Sequence, residues 1–486
     1  MLESLDPYTN YIPESDIEDY RIMTTGQYGG VGALIRKMDD DYNYIMEPYQ
    51  DSPIQKAGFK AGDKILEIDG SSIKNKSTDE VSTMLKGAAG TSLKIKVDRN
   101  GQTIEKTITR EEIKIPDVPY SGMIDNEIGY IKLNSFTQSA SSEVKDAFIK
   151  LKAKGMKKLI FDLRGNGGGL LNEAVRIVNL FVPQGTMIVK QKGRVPEMNI
   201  NYQAREEAAD VNIPLVVLVD EGSASASEIV SGSLQDLDRA VIVGVRSYGK
   251  GLVQQTRKMP YNTMVKLTVA KYYTPSGRCI QKLDYTTKKA GDKASAIADS
   301  VIQKYKTKNG REVVDGRGID PDVKVDEKEF SKLAAIVITE DLVFNYATGY
   351  ERAHPSITEA RQFKLTDAEY GEFLAQIKDK DFKYKTTTEL RFEEFKKSAQ
   401  KENYYAGAES EFDRVFAKIK ADKMADFERF KPEIKEIIEN EIVSRYYFQN
   451  GRTENSFNYD EYLEEAVKVL KDEARHKAIL EGTLKK

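Results

Sequence analysis

Between Ile128 and Val325 short apolar runs alternate with segments whose apolar residues recur at helical spacing. IGYIKLNSF, KKLIFDLRGNGGG, MIVKQK, IPLVVLV, AVIVGV and NTMVKLTVAKYYTP read as strands. SSEVKDAFIKLKAKG, which stops at Gly155, LLNEAVRIVNLFV, and the stretch after Ser225 with Ile229, Val230 and Leu234 on one face read as helices. Repeated βα units with apolar strands predict a layered α/β domain, assigned to residues 114–325, whose ligands bind at the strand C-terminal ends.

The flanks are patterned differently. Residues 1–22 predict a short helix, a proline turn and a second helix packing on the core. From Tyr28 to Ile113 short strands are separated by turn signals, and STDEVSTMLKG forms a helix with Ser77 and Glu80 as its capping box and Gly87 as its stop. Asn100-Gly101 marks a hairpin between two further strands. This is a compact α+β module, residues 23–113. Residues 326–486 are charged and helically periodic with Tyr and Phe anchors, an all-α domain. Its charge runs read as solvated faces, with assembly into a homo-oligomer or binding of an adaptor as the open alternative.

Composition narrows the functional classes. A chain of 486 residues exceeds one compact core, so two to four domains are expected. With 74 basic and 77 acidic residues, nothing favours nucleic acid as a partner. No apolar run approaches the roughly 20 residues that span a bilayer. MLESLDPYTNYIPESD shows no signal-peptide pattern and begins as though cut from a longer chain. The single Cys279 excludes an internal disulfide and a cysteine-rich metal site. Only His354 and His476 are present, both far from the α/β region, which disfavours a histidine base and histidine-rich zinc chemistry.

Candidate chemistry centres on the run from Asp220 to Gln254. A buried-type strand stops at Val219, a Ser/Ala cluster follows, and a helix starts. Such a junction gathers free N–H groups and the positive end of a helix dipole, which suits an anion or an oxyanion. Ser225 there is a candidate nucleophile, and Lys250, between two glycines, a candidate base. On spacing alone, Ser225-Ala-Ser-Glu228 fits a helix-capping box better than a catalytic site. DLRGNGGG (162–169) places four glycines at a strand end, so its N–H groups can face a cavity. It lacks the GxxxxGK[ST] pattern of a phosphate loop, and the glycines at 29–32 precede a strand rather than the helix of a dinucleotide fingerprint.

GGVG (29–32), SPIQKAGFKAGDKILEIDG (52–70) and the helix from Ser77 resemble a PDZ domain of the bacterial protease type. DLRGNGGG, GSASASEI, QDLDRAVIVG, YGKGLVQ and KLTVAKYYTPSGR, in that order, with SLDPYT near the start and GIDPD (318–322), resemble the carboxyl-terminal processing (tail-specific) protease family. The likeness covers nearly all of residues 1–325. It implies a crotonase-like layered α/β core with an inserted PDZ domain, and serine peptidase activity without a metal or organic cofactor.

By this resemblance Ser225 is the nucleophile, Lys250 the base and Gln254 the third member. Period two in an extended segment also puts Gln254, not Gln255, on the face of Lys250. The oxyanion donors would be the N–H groups of Ala226 and Gly168. Gly30, Val31 and Gly32 would hold a substrate's terminal carboxylate, with Leu34 and Ile35 on the strand that pairs with its tail. Polypeptides with free C-termini are the implied substrates. The periplasm or cell envelope is the implied location. The rival reading is a PDZ scaffold that binds C-termini without cutting; an esterase or amidase for small acyl substrates is a third.

Overall fold

The computed structural model describes residues 2, 5–285, 294–326, 330–380, 384–419 and 423–484. Ser4 of the SLDPYT stretch, and residues 420–422 within the run expected to be helical, lie outside them. The chain forms two compact units. One holds Met1–Gly30, Glu112–Glu327 and Asp460–Lys486; the other holds Val31–Glu111 and Lys328–Tyr459.

The first unit is built on a six-stranded sheet. Its order is Tyr120–Met123, Ile128–Lys132, Lys158–Asp162, Leu215–Val219, Val241–Gly244 and Val323–Lys324, parallel except for the first pair. Every residue of Leu215–Val219 is fully buried, as an apolar run covered on both faces requires. The helices Ala140–Ala153, Leu171–Asn179 and Ala226–Asp236 lay Val144, Phe148, Ile177 and Val230 into one core with this sheet. A second, antiparallel sheet joins Asn10–Ile12, Thr263–Tyr273, Met187–Gly193 and Ile200–Gln203, with Leu252–Met259 also paired to Thr263–Tyr273. Asn10–Ile12 pairs with Met264–Lys266, so the start of the chain, expected as helices alone, is a strand before the helix Ile17–Thr25.

The expected edge of the helical domain moves. Asp460–Lys486 belongs with the α/β unit, not with the rest of 326–486. The helices Glu461–Lys471 and Glu473–Leu480 bury Leu463, Ala466, Val469, Leu470 and Ile479. Lys158 donates to the Leu470 carbonyl at 2.9 Å, which satisfies an orphan acceptor in the last turn of the first of these helices.

The second unit contains the sheet Ala33–Lys37, Asn43–Pro48, Lys64–Ile68, Ser92–Arg99 and Gln102–Thr109. The hairpin turn takes positive φ at Asn100 (58°) and Gly101 (84°), as an Asn-Gly turn of type I′ requires. Ser77 and Glu80 cap the helix Thr78–Leu85 reciprocally. Helices from Lys332–Thr339 to Lys431–Ser456 form a separate apolar core around Leu342, Tyr346, Phe373, Phe427 and Ile438. No helix among the described residues is long and apolar enough to cross a membrane.

Candidate active site

Ser225 sits where the chain turns from the buried strand Leu215–Val219 into the helix Ala226–Asp236. Its backbone has φ 56° and ψ −110°, a conformation a non-glycine residue adopts only when its surroundings enforce it. A sharp strand-to-helix turn of this kind lifts a serine hydroxyl out of the chain, with the helix N-terminus beside it. Asn166, fully buried in the glycine loop, accepts Ala224 N–H at 3.0 Å and the Ser227 hydroxyl at 2.8 Å on its carbonyl. Asp220 accepts Gly165 N–H at 2.9 Å. The glycine loop and the serine turn are thereby one framework. A side chain at Gly168 would come within 2.8 Å of Ala224 O and of Ser225 Cβ, and its φ of 98° disfavours one as well.

Glu228 is the second tie. Its buried carboxylate accepts Ser225 N–H and Lys250 N–H, each at 2.8 Å, Gly249 N–H at 2.7 Å and the Ser247 hydroxyl at 2.6 Å. The residue legible as a capping partner therefore also fixes the loop that carries the lysine. Burial pushes its carboxyl above the ordinary range, against the pull of these donors. From the other side the buried Tyr272 phenol reaches Lys250 O at 2.6 Å and Ser225 O at 3.1 Å.

Ser225, Ala226, Gly168, Lys250 and Gln254 all line one cavity of about 340 Å³. Met23, Phe136, Leu171, Ile229 and Val253 supply apolar wall, and the cavity's ionisable lining beyond Lys250 is Lys266, Tyr20 and Tyr272. The Lys250 ammonium lies 4.2 Å from the centroid of the Tyr8 ring. Among the described residues it makes no hydrogen bond to Ser225 or to Gln254. Its pKa is lowered, first by burial and then by Lys266, while Glu228 and Asp6 oppose the shift.

Two details differ from the expected geometry. Gln254 donates to Thr268 Oγ1 at 3.2 Å, and a register shift between Val253 and Gln254 breaks strict period two; extension begins only at Leu252. Gly168 N–H already donates to Asn166 Oδ1 at 2.9 Å, whereas Ala226 N–H lies in the first turn of its helix, where no intrahelical acceptor exists.

Asn166, Glu228, Tyr272 and Tyr8 were not assigned to the site by sequence. The S-x-x-E spacing exposed Glu228 only as a cap. The others meet the site through contacts between segments distant in the chain. Arg164 is similar: it forks onto Asp460 at 2.8 and 2.7 Å while also bonding Asp162, immediately before the glycine loop.

In the second unit, Ala33–Lys37 is an edge strand, with the exposed Leu34 and the partly buried Ile35 flanking a bulge. Val31 is buried, and its carbonyl accepts Ile54 N–H at 3.0 Å. Gly32 has φ 78°, and its carbonyl accepts Tyr49 N–H and the Ser52 hydroxyl, each at 2.9 Å. The N–H groups of Val31 and Gly32 have no acceptor among the described residues. Gly30 closes the strand Gln27–Gly30 of the first unit.

The model of peptidase family S41 matches residues 127–289, a PDZ domain model matches 31–109, and the model of a probable PDZ-protease C-terminal helical domain matches 333–470. The chain therefore carries a peptidase S41 domain, a PDZ domain and a PDZ-protease helical domain, and it is similar to proteins named as carboxyl-terminal processing proteases. A probable CtpA-like serine protease of Staphylococcus aureus (strain bovine RF122 / ET3-1) is 33% identical over 340 residues, 70% of this chain and 61% of the relative. A carboxy-terminal-processing protease of Bartonella bacilliformis is 37% identical over 292 residues, 59% of this chain and 66% of the relative. The chain thus spans slightly under two thirds of these relatives. A solved structure of a photosystem II D1 C-terminal processing protease is 29% identical, covering 66% of this chain and 78% of that one, with a TM-score of 0.37.

Proposed function

We propose that the protein is a serine endopeptidase that cuts polypeptides near their C-termini. The carrying observation is the Ser225 turn, held in an unfavoured backbone conformation at a helix start and sharing a cavity with a lysine of lowered pKa. In this reading Lys250, once neutral, removes the proton from Ser225 Oγ as it attacks the scissile carbonyl. The lysine then gives that proton to the leaving amine, and water hydrolyses the acyl-enzyme with Lys250 again as base. Gln254 orients the lysine. Ala226 N–H and a glycine-loop N–H, Gly168 once released from Asn166, receive the oxyanion.

A lysine with an ordinary pKa near 10.4 must drop roughly three units to act at neutral pH, about 4 kcal/mol of differential stabilisation. Burial and the second cation, Lys266, both push in that direction. The free N–H groups of Val31 and Gly32 and the open edge of Ala33–Lys37 suit a terminal carboxylate and an added strand. A crotonase-like layering of the core, a periplasmic or envelope location, and a helical region serving assembly or an adaptor complete the reading. Cleavage of an unstructured protein with a free C-terminus by the wild type, and its loss in Ser225→Ala, tests it. Equal absence of cleavage in both would leave the PDZ scaffold instead.

A further inference from the structure

Tyr8 lies in the SLDPYT stretch, and the proposed chemistry gives it no task. Its segment is well anchored. Asp6 accepts Tyr8 N–H at 2.9 Å and the Thr9 hydroxyl at 3.0 Å, Thr9 Oγ1 accepts Thr268 N–H at 3.2 Å, and Asn10–Ile12 pairs with Met264–Lys266. One face of the ring carries the Lys250 ammonium at 4.2 Å. The ring also lines a second cavity, about 560 Å³, with Tyr248, Gln281, Lys282 and Leu283. In that direction its hydroxyl meets those of Tyr248, at 3.4 Å, and of Tyr285, whose ring also makes an edge contact at 6.3 Å.

We propose that Tyr8 is a positioning residue for Lys250: its ring holds the lysine head as a cation away from Ser225, and movement of the ring into the adjoining cavity releases the base. The inference rests on the Ser225–Lys250 reading and specifies its resting state. A cation over an aromatic face is attracted by the ring quadrupole, and the neutral amine far less, so the contact opposes the deprotonation that the reaction needs. The charged groups that act on the ammonium lie on three separate segments. Lys266, on Thr263–Tyr273, repels it; Asp6, on the N-terminal segment, and Glu228, on the helix Ala226–Asp236, attract it. The Tyr272 phenol bonds the Lys250 carbonyl rather than the amine. The phenols of Tyr8, Tyr272 and Tyr285 are held above the ordinary range, first of all by burial.

The test is the pH profile of kcat/KM, which reports the free enzyme's essential groups. Tyr8→Leu keeps apolar bulk and removes the ring face; its alkaline-rising midpoint is expected to fall by about 0.5 to 1.5 pH units. Tyr8→Phe keeps the face and is expected to keep the wild-type midpoint. Tyr8→Trp strengthens the face and is expected to raise it. This order, Leu below Phe below Trp, is not what loss of structure produces, and the Phe and Trp pair remains informative if the Leu variant fails to fold. Coincident midpoints in the folded variants would overturn the proposal. Ser225→Ala and Lys250→Ala are run alongside. Undiminished cleavage in either would refute the dyad itself, whereas inactive controls with a flat Tyr8 series would refute only the role of Tyr8.

Discussion

The chain contains the same four-residue spacing at two helix starts, Ser77-Thr-Asp-Glu80 and Ser225-Ala-Ser-Glu228, and the two behave differently. Ser77 has φ −66° and ψ 161°, accepts Glu80 N–H, and receives the glutamate back on its own N–H at 2.7 Å. That is an exposed, self-contained cap. At Ser225 the glutamate also accepts the serine N–H, but the backbone has crossed to φ 56° and the buried carboxylate takes three further donors from Ser247, Gly249 and Lys250. A cap satisfies the helix that bears it, whereas the second arrangement uses the same atoms to fix two segments to each other. Backbone strain and burial of the acid, not the spacing, separate a cap from a candidate site.

The two serines give the largest contrast. Ser225→Ala is expected to lower kcat/KM by about a thousandfold or more, the scale on which removal of a nucleophile acts. Ser77→Ala is expected to leave kcat/KM unchanged and to cost about 1 kcal/mol of stability, the usual worth of a cap. Kinetics on an unstructured protein substrate and denaturant melts of both variants measure the difference. Comparable activity loss in the two would erase the distinction.

The glutamates follow. Glu228→Gln preserves shape but turns one acceptor oxygen into a donor facing N–H groups. An activity loss of about tenfold to a hundredfold is expected, with about 2 kcal/mol of stability, the cost of leaving a buried group unsatisfied. Glu80→Gln is expected to change neither beyond error, because its partners are open to solvent. If Glu228→Gln loses stability while kcat is kept, the acid is only structural.

These comparisons mark how far the sequence could be read. Local rules sufficed for the Asn100-Gly101 hairpin, for the capped helix after Ser77 and for the apolar strand before Ser225, because neighbouring residues set those conformations. Ordered motifs sufficed to name five residues that line one cavity. Neither could show that Glu228 reaches Gly249 and Lys250, or that Tyr8 lies against a lysine 242 positions later. Such contacts are made between segments whose own patterns are unremarked. Asn10–Ile12 is too short for an alternation to register. The last two helices carry the periodicity of any amphipathic helix, so their place against the sheet depended on pairs such as Arg164 with Asp460, which no local pattern marks.

The smallest expected effect concerns the lysine, which has no counterpart at the Ser77 cap. Its folded pKa is lowered by burial, so the unfolded chain binds its proton more tightly and a charged Lys250 opposes folding. That penalty is fully present below the folded pKa. It shrinks as pH rises from the folded value toward the ordinary lysine pKa near 10.4 and is gone above it. Lys250→Met, which keeps the stem and removes the charge, is therefore expected to be inactive yet to melt about one to two degrees higher than the wild type at pH 6 to 7, a gain of about 1 kcal/mol on a chain of this size. The gain should fade as pH approaches 10. Thermal melts of both proteins across that range would measure it, and a gain that stayed constant with pH would point to apolar packing of the new side chain instead of relief of a buried charge.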